Sequence, residues 1–241
     1  MTTADPPPEK RPAHIGLRRY SAAEFLVALI LFFVAAPFVE LFRNGLVLEL
    51  ALMTLVLVSG VLAVGKSRRT LVLASIFVTP ALVARWSYHL RPDVVSVEYF
   101  LVSALLFLIF LILRFIAFIL RAPRVNSEVL CAGLSTYLML GLLWSFAYRL
   151  VAEIDPHAFA ITVSAIPNEP IVGFKAIYFS LITLSTVGYG DIVPVSNIAR
   201  MLSAMEAIIG TLYITVFIAR LVALYTSQAS APDTRDTADD R

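Results

Sequence analysis

Residues 183–191, TLSTVGYGD, interrupt an apolar stretch of the chain with two glycines and an acid. Gly188 and Gly190 alternate with Val187 and Tyr189, and a glycine can adopt a positive φ without the steric cost that a Cβ adds. With that freedom, we expect successive backbone carbonyls to turn to the same side. Carbonyl oxygens in a row along a narrow path can replace the water shell of a dehydrated monovalent cation. The segment therefore predicts a cation site built from backbone oxygens.

The rest of the chain has the composition of a membrane protein. Of the 241 residues, 59% are hydrophobic and 15% are charged, whereas soluble domains are about half apolar and a quarter charged. A helix needs about 20 apolar residues to cross the hydrocarbon core. Six runs reach that length: about 22–42, 46–64, 70–90, 98–120, 128–151 and 196–224. The sequence therefore predicts an all-α membrane protein with six spans.

Between the fifth and sixth runs lies a shorter apolar stretch, residues 173–185, which cannot span. Irregular backbone at membrane depth is tolerated only where protein covers it or where it lines a water-filled cavity. We therefore predict a re-entrant helix whose C-terminal end carries a partial negative charge that favours a cation near the membrane centre. The side chains of Val187 and Tyr189 are expected to point away from the cation path and to pack against this helix.

The basic residues predict the orientation, because cytoplasmic loops of membrane proteins are enriched in lysine and arginine. One side of the predicted topology carries most of the clusters: Lys10, Arg11, Arg18, Arg19, Lys66, Arg68, Arg69, Arg121 and Arg124. Both termini are therefore expected in the cytoplasm. We expect residues 1–20 and 227–241 to be disordered tails, because both are polar and contain proline. The clusters at 66–69 and 121–124 could hold anionic lipid at the inner leaflet.

Several other kinds of site are disfavoured. A net charge of +2 with no single basic patch argues against nucleic-acid binding. Cys131 has no second cysteine to pair with, and the histidines stand at no metal-ligand spacing. An intramembrane hydrolase would need a nucleophile and its partner at membrane depth, and a secondary transporter would show two related broken halves. The sequence shows neither pattern, so we expect no enzyme. The three histidines are His14, His89 and His157.

Residues 186–190, TVGYG, resemble the selectivity filter of potassium channels. The resemblance extends over about 128–225, which is similar to the outer helix, pore helix, filter and inner helix of bacterial six-transmembrane members. It implies a homotetramer in the voltage-gated-channel-like layout, since one chain holds one copy of the motif and supplies one wall of the filter. It also implies that potassium, as the permeant ligand and with no other cofactor, binds along the filter. The binding residues so implied are Thr186, Val187, Gly188, Tyr189 and Gly190.

The function that this resemblance implies is passive, potassium-selective conduction, in the inner membrane of a bacterium. Two alternatives stay open, a weakly selective monovalent cation channel and a voltage-gated potassium channel, and a secondary transporter is a more distant one. No soluble ligand-binding domain is predicted in this chain, so the expected partners are its own copies and membrane lipids.

Four residues beside the filter are expected to support it. Many family members have tryptophans in place of Tyr178 and Phe179, and these donate hydrogen bonds behind the filter. Phe179 cannot donate, whereas Tyr178 can reach Asp191, which matches the acid at the outer mouth. Some bacterial members have a glutamate in place of Ile182 that pairs with this acid. We therefore expect the outer end of the filter to be braced differently and the current to decay under sustained conduction.

The chain is expected to divide into a four-helix domain, residues 21–124, and a pore domain, residues 125–226, and each holds candidate gating residues. A voltage sensor needs several arginines along one helix, but only Arg114 lies within the fourth span, so we expect a sensor-like domain without a gating ladder. Glu206 is either an ion ligand or, as we favour, a protonated or hydrogen-bonded acid packed behind the pore helix. Gly210 is either a hinge or a small residue for close packing. The acids expected at the membrane interface are Glu24, Glu40, Glu49 and Glu98.

Overall fold

The computed structural model describes residues 21–42, 45–64, 68–90, 96–162 and 170–229. The predicted tail 1–20 and residues 230–241 of the second predicted tail lie outside the described residues. Five basic residues that predict the orientation, and one histidine considered as a metal ligand, also lie outside the described residues. They are Lys10, Arg11, Arg18, Arg19, Lys66 and His14.

Seven α-helices and two short strands make up the described chain. They are α1 (Ala22–Ala35), α2 (Gly45–Val64), α3 (Arg68–Leu90), α4 (Val97–Arg121), α5 (Ser127–Ile154), β1 (Phe159–Ile161), α6 (Phe174–Leu184), β2 (Ile192–Pro194) and α7 (Asn197–Ala229). All the helices but α6 are long and apolar enough to cross a membrane, with α1 extended by the 3-10 segment Ala36–Leu41. The prediction of six spans is confirmed, and α6 agrees with the predicted short helix at 173–185.

The ends of the elements follow from local chemistry. Ser21 and Glu24 form a capping box at the start of α1, in which each side chain accepts a hydrogen bond from the backbone of the other. Pro37 follows α1 after Ala36, and its missing N–H is consistent with the change to 3-10 geometry there. Asn126 caps α5 by accepting from the N–H of Val129. At the other end of the chain, α7 continues to Ala229, so residues 227–229 are helical and the tail predicted from 227 begins too early.

Helices α1 to α4 pack around a shared apolar core that includes Phe25 and Phe107. Within this four-helix domain, Arg85 on α3 is only 4% exposed, and its Nη2 lies 2.8 Å from Oε1 of Glu49 on α2. The Arg85 guanidinium also lies 5.4 Å from the centroid of the Phe100 ring. Glu49 stands near the start of α2 with its side chain 30% exposed, so its interfacial position stays a prediction, whereas the pairing with Arg85 was not predicted. A buried guanidinium needs a charged partner, and Glu49 supplies it.

Helix α5 connects the four-helix domain to the pore region, because it packs against α1 and α4 on one side and against α6 and α7 on the other. After α5 the chain forms β1, which pairs antiparallel with β2, with Phe159 opposite Pro194 and Ile161 opposite Ile192. These two strands flank the segment 183–191 in the fold, and the sequence did not predict them. They tie the loop after α5 to the residues that follow the candidate filter.

Helix α7 has few neighbours in its own chain, since only 11% of its span is buried. Large apolar side chains remain exposed along its length: Ile198, Met201, Met205, Ile208, Leu212, Ile214, Val216, Ile218, Val222 and Tyr225. A single copy of the chain therefore leaves most of this helix to be covered by lipid or by other copies.

Candidate functional site

The backbone of residues 186–190 alternates in conformation. Thr186, Gly188 and Gly190 have φ values of 61°, 54° and 81°, whereas Val187 and Tyr189 between them do not have positive φ. Positive φ was expected for the two glycines but not for Thr186, whose Cβ makes that conformation costly by about 1–2 kcal/mol. Positive φ at Thr186 could have been predicted from the spacing, because Thr186 stands two residues before Gly188, as Gly188 stands two residues before Gly190. Such an alternation turns successive carbonyls to one side of the segment.

The amide groups of this segment are bound to the end of α6. The N–H of Val187 and that of Gly188 donate to the carbonyl of Ile182 at 2.8 and 3.2 Å, and the N–H of Thr186 donates to Thr183 at 2.9 Å. Within the described part of the chain, no hydrogen bond reaches the carbonyls of residues 186–189. A backbone oxygen at membrane depth needs a partner. The carbonyl oxygens of residues 186–189 therefore need a partner that the described part of the chain does not supply.

The outer end of the segment is held by the sheet and by a tyrosine. The N–H and the Oγ1 of Thr162, which follows β1, donate to the carbonyl of Asp191 at 2.8 and 3.0 Å. The Thr162 hydroxyl also lies 3.4 Å from the oxygen of Gly190, the outermost predicted ion ligand, a longer contact that would share the same proton. The Tyr178 hydroxyl donates to Oδ2 of Asp191 at 2.8 Å, the contact that the sequence predicted. This bond raises the pKa of Tyr178, so its hydroxyl remains a donor at physiological pH.

Replacing Tyr178 with phenylalanine is expected to accelerate the decay of current several-fold during long depolarisations. The Oδ1 atom of Asp191 is buried without a hydrogen-bond partner in the described residues, so loss of the Tyr178 hydroxyl would leave the whole carboxylate without a side-chain donor. Macroscopic current through the reconstituted variant measures the decay. Tyr225→Phe is the matched control, because Tyr225 is 69% exposed on α7. Equal decay in the two variants would show that the Tyr178 bond does not brace the filter.

Behind the segment, the other two predicted support residues are buried in apolar contacts. The Phe179 ring lies 4.9 Å from Tyr148 and 5.6 Å from Phe159, both in edge-on geometry. Ile182 is 8% exposed, and its carbonyl receives the two filter amides. Phe179 therefore supports the segment by aromatic packing and Ile182 by its backbone carbonyl, whereas the related channels have hydrogen-bonding side chains at these positions.

The expected packing of Val187 and Tyr189 against α6 is wrong for the single chain. Their side chains are 53% and 73% exposed. The segment is attached to α6 through its backbone amides, while these two side chains remain largely exposed. Whatever covers these two side chains does not come from the described part of the same chain.

Of the two candidate gating residues, Glu206 is completely buried and forms hydrogen bonds with Tyr148 and Ser180. This agrees with the favoured reading of a hydrogen-bonded acid behind the pore helix. Sequence reasoning did not identify the two partners, although both are polar residues within otherwise apolar helices. Gly210 is buried as well, and a Cβ there would lie 2.6 Å from the backbone oxygen of Leu184. That distance favours the packing role over the hinge.

Two arginines connect elements at the other end of the fold. Arg220 on α7 donates to the carbonyls of Leu120 and Ala122 at 2.9 and 3.2 Å, at the end of α4. A guanidinium in this position satisfies carbonyls that the helix end leaves free. Arg114 lies 3.3 Å from the Thr70 hydroxyl on α3. The C-terminal half of α7 is thus attached directly to the four-helix domain.

The comparisons with known proteins agree with this geometry. A family model described as "Ion channel" matches residues 134–227, which run from α5 through the filter into α7. The "Two pore potassium channel c" of Oryza sativa subsp. japonica is 36% identical over 62 residues, covering 26% of this chain and 13% of the relative. The "Voltage-gated potassium channel Kch" of Escherichia coli (strain K12) is 50% identical over 50 residues, covering 21% and 11%. No solved structure matches the chain significantly.

These alignments cover only a small part of the relatives, so the likeness is to their pore regions. The matched family is one of ion channels and not of enzymes. The six apolar helices agree with an integral membrane protein. Residues 134–227 are therefore similar to the ion channel family, and the relatives that this part of the chain resembles are potassium channels.

Proposed function

We propose that this protein is a potassium-selective channel through which potassium flows passively down its gradient. The observation that carries the proposal is the backbone of residues 186–190. Positive φ at alternate residues aligns the carbonyls, and no hydrogen bond from the described residues reaches the first four oxygens. Oxygens left free in this way suit a cation that has lost its water. Potassium ions would be the permeant ligand, and no other cofactor is required.

The channel is proposed to be a homotetramer. One chain supplies one row of carbonyls, and a cation without its water shell needs oxygens on all sides. The exposed side chains of Val187 and Tyr189 and the uncovered length of α7 are the surfaces that neighbouring copies would bury. Lipid would cover the outer helices. We further propose a bacterial inner membrane and cytoplasmic termini, on the distribution of basic residues such as Arg68, Arg69 and Arg121.

Voltage dependence is proposed to be weak. Each charge that crosses the field contributes about 2.3 kcal/mol per 100 mV, so steep gating requires several charges per subunit. Arg114 is the single arginine in the interior of α4, because Arg121 is its last residue. The contact of Arg220 with the end of α4 would then transmit movements of the four-helix domain to α7 whatever their cause.

The test is the reversal potential of the purified protein in a planar bilayer with potassium on one side and sodium on the other. We expect a value near the potassium equilibrium potential, together with an open probability that changes only shallowly with voltage. Protein-free bilayers and the variant Gly188→Ala are the controls. A reversal potential near zero with robust current would instead support a weakly selective cation channel, and a steep conductance–voltage curve would support voltage gating.

A further inference from the structure

Glu206 is an acid at a depth where charge is costly. It is the tenth residue of α7, roughly 14 Å along the helix from Asn197 at 1.5 Å per residue, and its exposed fraction is 0%. Ionised side chains inside a membrane are usually paired with an opposite charge. Neither of the two ion pairs found in the described residues involves Glu206. Its polar contacts are with two hydroxyl groups.

The protons of these hydroxyl groups can be counted. A serine hydroxyl has one proton to donate and can also accept. The Oγ of Ser180 lies 2.7 Å from the backbone oxygen of Gly141 on α5 and 2.5 Å from Oε1 of Glu206. A carbonyl can only accept, so the Ser180 proton is needed for Gly141. The short contact between Ser180 and Glu206 is then a hydrogen bond only if Glu206 is the donor.

The second oxygen of the carboxyl group has its own donor. The Tyr148 hydroxyl on α5 forms a hydrogen bond with Oε2 of Glu206, and its single proton satisfies that oxygen. If Glu206 were ionised, Ser180 would have one proton for two acceptors, the Gly141 carbonyl and the Glu206 carboxylate. One of these two contacts would then consist of two buried oxygens with no proton between them, which is costly. A neutral carboxylic acid satisfies every atom of the set.

We propose that Glu206 is held as a neutral carboxylic acid that donates to Ser180, and that it is a positioning residue joining the pore helix α6 to α5 and α7. The chain of donors runs from Tyr148 through Glu206 and Ser180 to Gly141. Ser180 lies two residues before Ile182, whose carbonyl receives the amides of Val187 and Gly188. The protonated acid thus sets the position of the helix that anchors the filter. It also keeps a negative charge away from the back of the filter.

The protonation state is tested by infrared spectroscopy of the full-length protein in lipid, because a protonated carboxyl group has a C=O stretching band that a carboxylate lacks. We expect such a band at neutral pH in the wild-type protein and in Glu153→Gln, which removes an exposed acid. The band should disappear in Glu206→Gln and shift in Ser180→Ala, which removes the acceptor. If Glu206→Gln instead removes carboxylate intensity and no protonated band, Glu206 is ionised and the proposal is overturned.

The positioning role is tested by comparing two variants in the potassium–sodium bilayer experiment, and this part rests on the proposed function. The amide of Glu206→Gln can donate to Ser180 and accept from Tyr148, so we expect its reversal potential and current decay to match the wild type. Glu206→Asp keeps the acid but shortens the side chain, and we expect several-fold faster decay. A Gln variant that behaves like the Asp variant would contradict the positioning role. A wild-type protein that does not select potassium would refute the proposed function and leave the infrared result intact.

Discussion

Replacing Gly188 with alanine is expected to abolish potassium selectivity and to reduce the current at least tenfold. The φ of Gly188 is +54°, a conformation that costs an L-residue about 1–2 kcal/mol. Nothing lies within 4 Å of the position that a Cβ would occupy, so crowding within the chain plays no part. The strain is relieved if the peptide rotates, and rotation takes one carbonyl out of the row. In a tetramer the change would occur four times around the ion path.

The measurement is the reversal potential in the potassium–sodium bilayer, together with single-channel current. Gly60→Ala is the matched control, since Gly60 lies inside α2 without a positive φ and a Cβ there first meets the terminal methyl of Leu111. We expect the control to retain wild-type selectivity. An unchanged reversal potential in Gly188→Ala would mean that the alternating backbone is not what selects the ion.

Replacing Gly210 with alanine is expected to destabilise the protein by roughly 1–3 kcal/mol, the usual cost of overpacking. The new Cβ would lie 2.6 Å from the backbone oxygen of Leu184 and 2.8 Å from its Cδ1. Because the oxygen belongs to the last residue of α6, it cannot move aside as a side chain can. Helix α7 must therefore shift away from the end of α6. Because the filter begins two residues after that end, we also expect a smaller current.

Thermal unfolding in detergent or lipid, followed by the loss of the folded peak in size-exclusion chromatography, measures this effect. Gly141→Ala is the control, because a Cβ at Gly141 would meet the movable Cδ2 of Leu181 at 3.0 Å. We expect a lower midpoint for Gly210→Ala than for the control. If Gly210 were instead a hinge, its replacement would change the open probability and leave the unfolding midpoint unchanged.

Several features of the site could be predicted from the sequence because they depend on neighbouring residues. The two glycines at alternate positions predict positive φ at Gly188 and Gly190, and the length of the apolar stretch at 173–185 predicts a helix too short to span. Tyr178 lies on α6 and is separated from Asp191 by the second half of that helix and the filter segment, so their contact could also be anticipated.

Other features could not be predicted in this way, because their partners are far apart in the chain. The pairing of β1 with β2 joins residues separated by α6. The ion pair of Arg85 with Glu49 depends on how α3 rotates against α2, which the sequence of either helix does not show. The exposure of Val187 and Tyr189 depends on how the filter backbone lies against the end of α6, to which the amides of Val187 and Gly188 are bound.

By itself, the sequence determined the six spans, the short helix and the glycine alternation, because hydrophobic length and the φ preference of glycine act within a few residues. Only the tertiary structure decided which groups meet behind the filter. The groups around Glu206 of α7 are Tyr148 and Gly141 on α5 and Ser180 on α6, and they approach one another only when those three helices pack. A proton can be assigned to Glu206 only from that arrangement, because a hydroxyl acts as donor or acceptor according to the groups that face it.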